Sequence, residues 1–236
     1  MQVKEYKLKI TGIKDEAPNV KSFRARIPAG DKIDFKAGQF FMVSLPGDPK
    51  LRRAYSISSA PSEGKYIEIT LDKVGKFSSR LFEAKEGDEI TFTGPYGKFY
   101  FGNEPNDIVL VGAGTGIAPL MSVIRECSKK NIPNSVRLLY SAKLPESIIF
   151  RDEIEKISDE NEKFTKVFTA TRLPGGDESW SGRRGRIDRE LLEQSIHDKN
   201  GSIFFLCGSN EFVKGVISML SEIGIQKEQI RTDIWG

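Results

Sequence analysis

The chain has 236 residues, enough for one large domain or two of ordinary size. Its 38% hydrophobic and 29% charged residues supply a core and argue against long disorder. Thirty-six basic residues against 33 acidic ones leave a net charge of +3, too small a surplus to argue for nucleic acid or a membrane surface. Only two cysteines occur, Cys127 and Cys207, with no CxxC between them; a disulfide framework, an iron-sulfur cluster and a structural zinc site are all disfavoured. No metal site is expected, and redox work would need a bound organic cofactor. The single histidine, His197, leaves little room for Ser-His-Asp hydrolysis. No run approaches the roughly 18 apolar residues of a membrane helix, and the opening MQVKEYKLKI has no signal-like core. A cytoplasmic protein without membrane insertion is expected.

The first hundred residues read as antiparallel strands. Tyr6, Leu8 and Ile10 alternate, as do Phe23, Ala25 and Ile27, then Phe41, Val43 and Leu45, then Ile67, Ile69 and Leu71, a period of two. Turn clusters at 28–31, 46–49 and 86–88 separate them as a sandwich or small barrel would. The pattern changes at the Pro/Asn-rich stretch 102–106, which predicts a boundary between domains of residues 1–102 and 103–236. Beyond it, short apolar runs at 108–111, 136–140, 165–169 and 203–207 alternate with amphipathic segments at 116–130, 147–158, 188–197 and 210–223. The runs read as parallel strands and the segments as helices covering them, an α/β arrangement. Cys127, in step with Leu120 and Ile124 on one helix face, reads as core.

At 108–121 the sequence is IVLVGAGTGIAPLM, a buried strand running through Gly112, Gly114 and Gly116 into a helix. Such glycines let the backbone approach a phosphate, and the free amides and dipole of a helix start favour negative charge. A dehydrogenase of the usual dinucleotide-binding type carries an acid about twenty residues on. Here the second strand ends Tyr140-Ser141-Ala142-Lys143, so another nucleotide-binding solution is expected, and a conventional alcohol dehydrogenase is disfavoured. The run Phe204–Asn210 is again a strand entering a helix through a glycine. If strand order reverses beside the first strand, the ends carrying Gly112 and Cys207 lie side by side. Cys207 is then either a packing residue or a soft wall beside a reacting ring.

In the first half stands Arg52-Arg53-Ala54-Tyr55-Ser56-Ile57-Ser58-Ser59-Ala60-Pro61. Period two puts Arg53 and Tyr55 on one face, a charge for phosphate beside a flat surface for an aromatic ring. Gly75-Lys76-Phe77-Ser78 reads as a glycine turn into a short helix whose amides and hydroxyls suit a pyrophosphate. Gly94-Pro95-Tyr96-Gly97 closes this half.

The succession RAYS, GKFSSRL, GPYG, VGAGTGIAP and FFLCGS resembles the ferredoxin-NADP reductase family of flavoproteins across nearly the whole chain. The resemblance implies an N-terminal antiparallel Greek-key β-barrel that binds FAD, followed by an NAD(P)-binding α/β domain with a five-stranded parallel sheet. It implies that Arg53 binds the flavin pyrophosphate, Tyr55 stacks on the isoalloxazine, Ser56 bonds near its N5, and Gly75, Lys76, Phe77 and Ser78 hold the phosphates. It sets Gly112, Gly114, Thr115 and Gly116 against the dinucleotide and Cys207 and Gly208 beside the nicotinamide. Hydride would pass from nicotinamide to flavin, with the protein supplying orientation. Many relatives end in a glutamate and an aromatic residue, whereas this chain ends RTDIWG. If aligned, Asp233 replaces the glutamate and Trp235 approaches the flavin; a last strand without flavin contact is the alternative. No cysteine cluster is present to hold a ferredoxin-like domain's metal, so electrons are expected to leave to another molecule or subunit.

Thr171-Arg172 stands where NADP-selective relatives place a hydroxyl and an arginine, which favours NADPH, with NADH as the alternative. Arg183, Arg184 and Arg186 follow, either as helpers or as a solvated basic loop. The implied partner is a small electron-carrier protein such as ferredoxin or flavodoxin, or an oxygenase component. The competing reading is an electron-transfer or regulatory subunit of a larger redox complex with little activity alone. His197, on a polar helix, reads as exposed and inert.

Overall fold

The computed structural model describes residues 2–48, 50–174 and 179–235, the last residue, Trp235, by its backbone alone. Two compact units emerge: Met1–Gly102 with Ala118–Lys130, and Asn103–Ile117 with Asn131–Gly236. No helix among the described residues is long and apolar enough to cross a membrane.

The first unit holds β1 (Lys4–Ala17), β2 (Val20–Arg26), β3 (Phe40–Ser44), β4 (Arg52–Ser56), β5 (Tyr66–Asp72), the short helix α1 (Lys76–Phe82) and β6 (Glu89–Tyr96). The strands form one antiparallel sheet in the order β4-β3-β6-β1-β2-β5, with β6 inserted between β3 and β1. A bridge between Ile57 and Ile69, with Ser58 N donating to Glu68 O at 2.8 Å, joins the two edges and closes the barrel. The period-two residues point inward as expected: Leu8, Ile10, Phe23, Ala25, Phe41, Val43, Ile67, Ile69 and Leu71 are all buried. Each large member contributes about 1.5–3 kcal/mol relative to exposure.

On β5 the outward residues Glu68 and Thr70 are buried too, which alternation alone does not predict. The helix α2 (Ile117–Lys130), read from sequence as a cover for the parallel sheet, belongs with the barrel through Ala118–Lys130. Its polar side chains find their partners there. Ser122 Oγ donates to Ser59 O at 2.7 Å, Glu126 Oε2 accepts from Ser62 N at 2.9 Å, and Arg125 Nη1 donates to Ser58 O at 2.8 Å and Glu68 Oε1 at 2.5 Å.

The second unit contains β7 (Asp107–Ala113), β8 (Val136–Ala142), α3 (Arg151–Glu160), β9 (Phe164–Ala170), β10 (Arg183–Arg184), α4 (Arg189–Gln194), β11 (Ser202–Ser209), α5 (Asn210–Ile223) and β12 (Ile230–Trp235). Its sheet is parallel throughout, in the order β10-β9-β8-β7-β11-β12. It has six strands rather than five. The extra one is the two-residue β10, where Arg183 and Arg184 pair with Thr169 and Ala170 and Gly185 N continues the ladder to Ala170 O at 2.9 Å. A charged stretch this short carries no period-two signal, so it reads as loop from sequence. The core packs Val111, Leu139, Phe204 and Leu206 against Leu192, Val213, Val216 and Leu220.

Helix ends differ from the periodicity for local reasons. α3 begins at Arg151 and not at 147, because Pro145–Ser147 is a separate 3-10 turn and Phe150 takes a left-handed conformation (φ 60°) just before the helix. α4 is shorter at both ends: Asp188 is its cap, accepting from Leu191 N at 2.9 Å, and Ser195 Oγ turns back to Leu191 O at 2.7 Å. α5, by contrast, has the expected bounds 210–223, with Ser209 as the cap before it and Gly224, whose φ of 96° suits glycine, just past its end.

Candidate functional site

In the barrel unit, β4 and the start of α1 come together. Tyr55 and Phe77 stand 5.7 Å apart between ring centroids at 35°, Phe77 being buried and Tyr55 half-buried. Burial pushes the Tyr55 phenol up to about 12, the Asp72 carboxylate adds to this and Arg53 opposes it, so the ring is neutral at physiological pH. Arg53 is exposed, its Nη1 resting on Arg52 O at 3.0 Å. Ser56 ends the strand opposite Phe40. Ser78 is buried, and its hydroxyl accepts from the amides of Val74 and Gly75, both at 2.9 Å, and donates to Gly75 O at 3.1 Å. That hydroxyl therefore shapes the turn, leaving the amides of Lys76 and Phe77 as the helix-start donors. A Cβ at Gly75 would meet no atom within 4 Å, so the turn leaves room for a bulky anionic group. A flat half-buried ring, an arginine and an open helix start fit a flavin with its pyrophosphate.

In the second unit the strand order reverses between β7 and β11, the place where open α/β sheets bind their ligands. Cys207 is in register with Gly112 on one side and Asp233 on the other, which sets all three in one row across the sheet. Cys207 is buried and its Sγ donates toward Asp233 Oδ2 at 3.9 Å. Burial pushes its thiol well up, and the Asp233 carboxylate pushes it further, so Cys207 is a neutral, soft surface and not a thiolate nucleophile. Gly208 and Ser209 continue the strand beside Ile234 and Trp235. The backbone of Trp235 is thus the end of a sixth parallel strand, while its ring lies outside the described residues.

Between β7 and α2 the chain makes a 3-10 turn over Gly114–Gly116. Gly114 has φ 55° and open space around a hypothetical Cβ, whereas a Cβ on Gly116 would lie 2.4 Å from Cys207 O. One glycine allows the turn's conformation and the other lets the turn pack on β11, with Thr115 between them. Such a turn fits the phosphates of a dinucleotide.

A cleft of about 430 Å³ opens at the carboxyl ends of these strands, lined among others by Ala113, Ser141, Thr171, Arg186, Glu211 and Phe212. Thr171 is among these, its Oγ1 donating to Ala142 O at 3.3 Å. Arg172 does not line the cleft; its amide binds Lys143 O at 2.8 Å and its side chain is exposed. Arg186 lines it instead, carried there by the return of the chain through β10, while Arg183 is held by Asp188 at 2.5 Å. The sequence signal for Arg186 is present in SGRRGR, but which of its arginines faces the cleft depends on the two-residue ladder. A smaller cavity of about 120 Å³ lies at the opposite strand ends. There exposed His197 touches Arg137, far along the strands from the switch point.

A family model described as an oxidoreductase FAD-binding domain matches residues 7–101, and one described as an oxidoreductase NAD-binding domain matches residues 110–217. The chain belongs to the ferredoxin-NADP reductase-like family of flavoprotein oxidoreductases. It is 26% identical over 279 residues to one of the subunits of the Na(+)-translocating NADH-quinone reductase of Marinomonas sp. (strain MWYL1), covering 99% of this chain and 68% of that protein. It is 28% identical over 227 residues to terephthalate 1,2-dioxygenase, reductase component 2, of Comamonas sp., covering 93% of this chain and 65% of that one. Among solved structures, a ferredoxin NADP+ reductase from Neisseria gonorrhoeae with bound FAD and NADP is 26% identical, with a TM-score of 0.79 and 98% of each chain covered. The chain thus spans about two thirds of the length of the first two relatives.

Proposed function

We propose that this chain is a cytoplasmic reductase that takes hydride from a nicotinamide dinucleotide bound by residues 103–236 onto FAD bound by residues 1–102. Its electrons then leave to a separate acceptor, a small electron-carrier protein or an oxygenase component. The observation that carries the reading is the row Gly112, Cys207 and Asp233 at the point of strand reversal, beside a glycine turn shaped for phosphates. When bound, the flavin supplies the exchange between two-electron and one-electron chemistry. Arg53 and the amides of Lys76 and Phe77 would hold its phosphates, and Tyr55 and Ser56 its ring system. Gly112, Gly114, Thr115 and Gly116 would hold the dinucleotide phosphates. Cys207 and Gly208 would present a neutral surface to the nicotinamide, and Asp233 would keep the Cys207 proton in place. Orientation rather than proton transfer is the protein's main contribution.

The purified protein should show flavin absorbance that bleaches on anaerobic titration with a reduced nicotinamide dinucleotide and returns when an electron acceptor is added. A colourless protein that takes up no added FAD would refute the reading. A second reading, a component active only inside a larger redox complex, is favoured by the likeness to part of an NADH-quinone reductase. It predicts flavin bleaching with negligible turnover to soluble acceptors.

Of the two dinucleotides, NADPH is the proposed donor, because Thr171 and Arg186 share the cleft and an arginine fork suits a 2'-phosphate. Glu211 lines the same cleft and speaks for NADH, since a carboxylate repels a phosphate and accepts from a ribose diol. Arg186→Ala should raise KM for NADPH about tenfold and leave KM for NADH within twofold. Equal effects on both would assign the donor to NADH.

A further inference from the structure

Tyr140 is the largest fully buried side chain among the described residues. It stands on β8, in register with Gly112 on one side and Phe168 on the other. Its ring meets Phe168 edge-on, with centroids 6.3 Å apart at 77°. Packing at this position calls only for a phenyl ring, yet a hydroxyl is present, and it is spent on two backbone partners. It donates to Gly114 O at 2.9 Å and accepts from Ile149 N at 3.4 Å. The Gly114 carbonyl also accepts from Ile117 N at the end of the 3-10 turn.

Gly114 is the one residue of the turn with positive φ, and a glycine there has no side chain to resist rotation of its peptide planes. If the peptide following Gly114 turned over, its carbonyl would swing away from its present donors and its amide would no longer hold its direction. A turn that binds an anion through amides must keep its carbonyls directed elsewhere. A buried donor fixed to the Gly114 carbonyl by the sheet does this without touching the ligand. Burial holds the phenol above its ordinary range, so the donor keeps its proton throughout the physiological range.

We propose that Tyr140 is a positioning residue for the nicotinamide dinucleotide, its hydroxyl locking the Gly114 peptide so that the Gly112–Gly116 turn is preset for the phosphates. This rests on the reading of that turn as the dinucleotide loop. The test is Tyr140→Phe, which keeps the ring, assayed on the flavin-loaded protein with two donors. One is the dinucleotide that the wild type oxidises best; the other is 1-benzyl-1,4-dihydronicotinamide, which has the reacting ring and no phosphate. One hydrogen bond's share of binding corresponds to a factor of about ten. KM for the dinucleotide should therefore rise about tenfold with kcat within twofold, while the rate with the phosphate-free donor and the flavin content stay at wild-type values. Equal losses with both donors, an unchanged dinucleotide KM, or failure of the variant to fold would each reduce Tyr140 to a core residue and overturn the proposal. A wild type that oxidises neither donor would instead refute the proposed function.

Discussion

Gly116→Ala should leave the flavin bound and lower kcat/KM for the dinucleotide by about a hundredfold or more. The added Cβ would lie 2.4 Å from Cys207 O, 2.7 Å from its carbonyl carbon and 2.9 Å from Gly208 N. All three are backbone atoms of a central strand paired on both sides, so none can swing aside as a side-chain tip would. Either the turn lifts off β11 or the Cys207–Gly208 peptide is displaced. Both segments belong to the proposed dinucleotide site, and a misplacement of about 1 Å in such a site costs on the order of a hundredfold in rate. Gly12→Ala is the control. Its Cβ would meet Arg24 side-chain atoms at 3.6 Å and beyond, ordinary contacts, and it should leave the kinetics unchanged. Flavin absorbance and dinucleotide kinetics measured on both variants decide the matter, and a Gly116→Ala enzyme within threefold of wild type would show that the turn does not need its close approach to β11.

Gly116 also shows what the sequence makes legible. A strand, three glycines at alternate positions and a helix are local features, and their order alone foretells the turn, while the row shared by Gly112 and Cys207 follows once strand order reverses beside β7. Tyr55 and Phe77 lie 22 positions apart in the chain, yet the period-two face and the glycine turn each mark their own residue. Features that depend on a second, distant segment are different. Nothing near Tyr140 announces that its hydroxyl meets Gly114, because a tyrosine in a strand is first of all a large apolar residue. Arg186 reaches the cleft only because β10 lays the chain parallel beside the end of β9, a ladder of two residues with no periodicity to read. Arg125 and Glu126 look in sequence like the polar stripe of a surface helix. Their burial becomes visible only when α2 meets the segment Ser58–Glu68.

That buried group carries the largest expected effect on stability. The Arg125 side chain is 6% exposed and that of Glu68 3%, with 2.5 Å between Nη1 and Oε1. Arg24 Nε reaches the other carboxylate oxygen at 2.7 Å while its guanidinium lies over the Tyr66 ring, and Ser58 Oγ donates to Oε1 at 3.0 Å. Removing one partner of such a pair strands a charge in the interior at a cost of about 3–5 kcal/mol. Arg125→Met should therefore lower the melting temperature by about 10 °C in a chain of this size. Arg125→Met combined with Glu68→Leu should recover much of the loss, because the two buried charges are then removed together, and Arg24, which loses its carboxylate, is half exposed to solvent and still lies over the Tyr66 ring. The pH dependence has a definite sign. Burial pushes the Glu68 carboxyl up, but Arg125, Arg24 and Ser58 together hold it below the ordinary carboxylate range. Its contribution is therefore fully present above the unfolded value of about 4.3 and is lost as pH falls through the lower folded value. Without Arg125 the carboxyl takes up its proton at higher pH, and a neutral acid no longer needs a cation beside it. The gap in melting temperature between wild type and Arg125→Met should thus narrow as pH is lowered from 7 to 4. Melting curves at several pH values decide it: a gap that stays constant, or a single variant as stable as the double, would mean that α2 is held to the barrel by its apolar side chains and not by this ion pair.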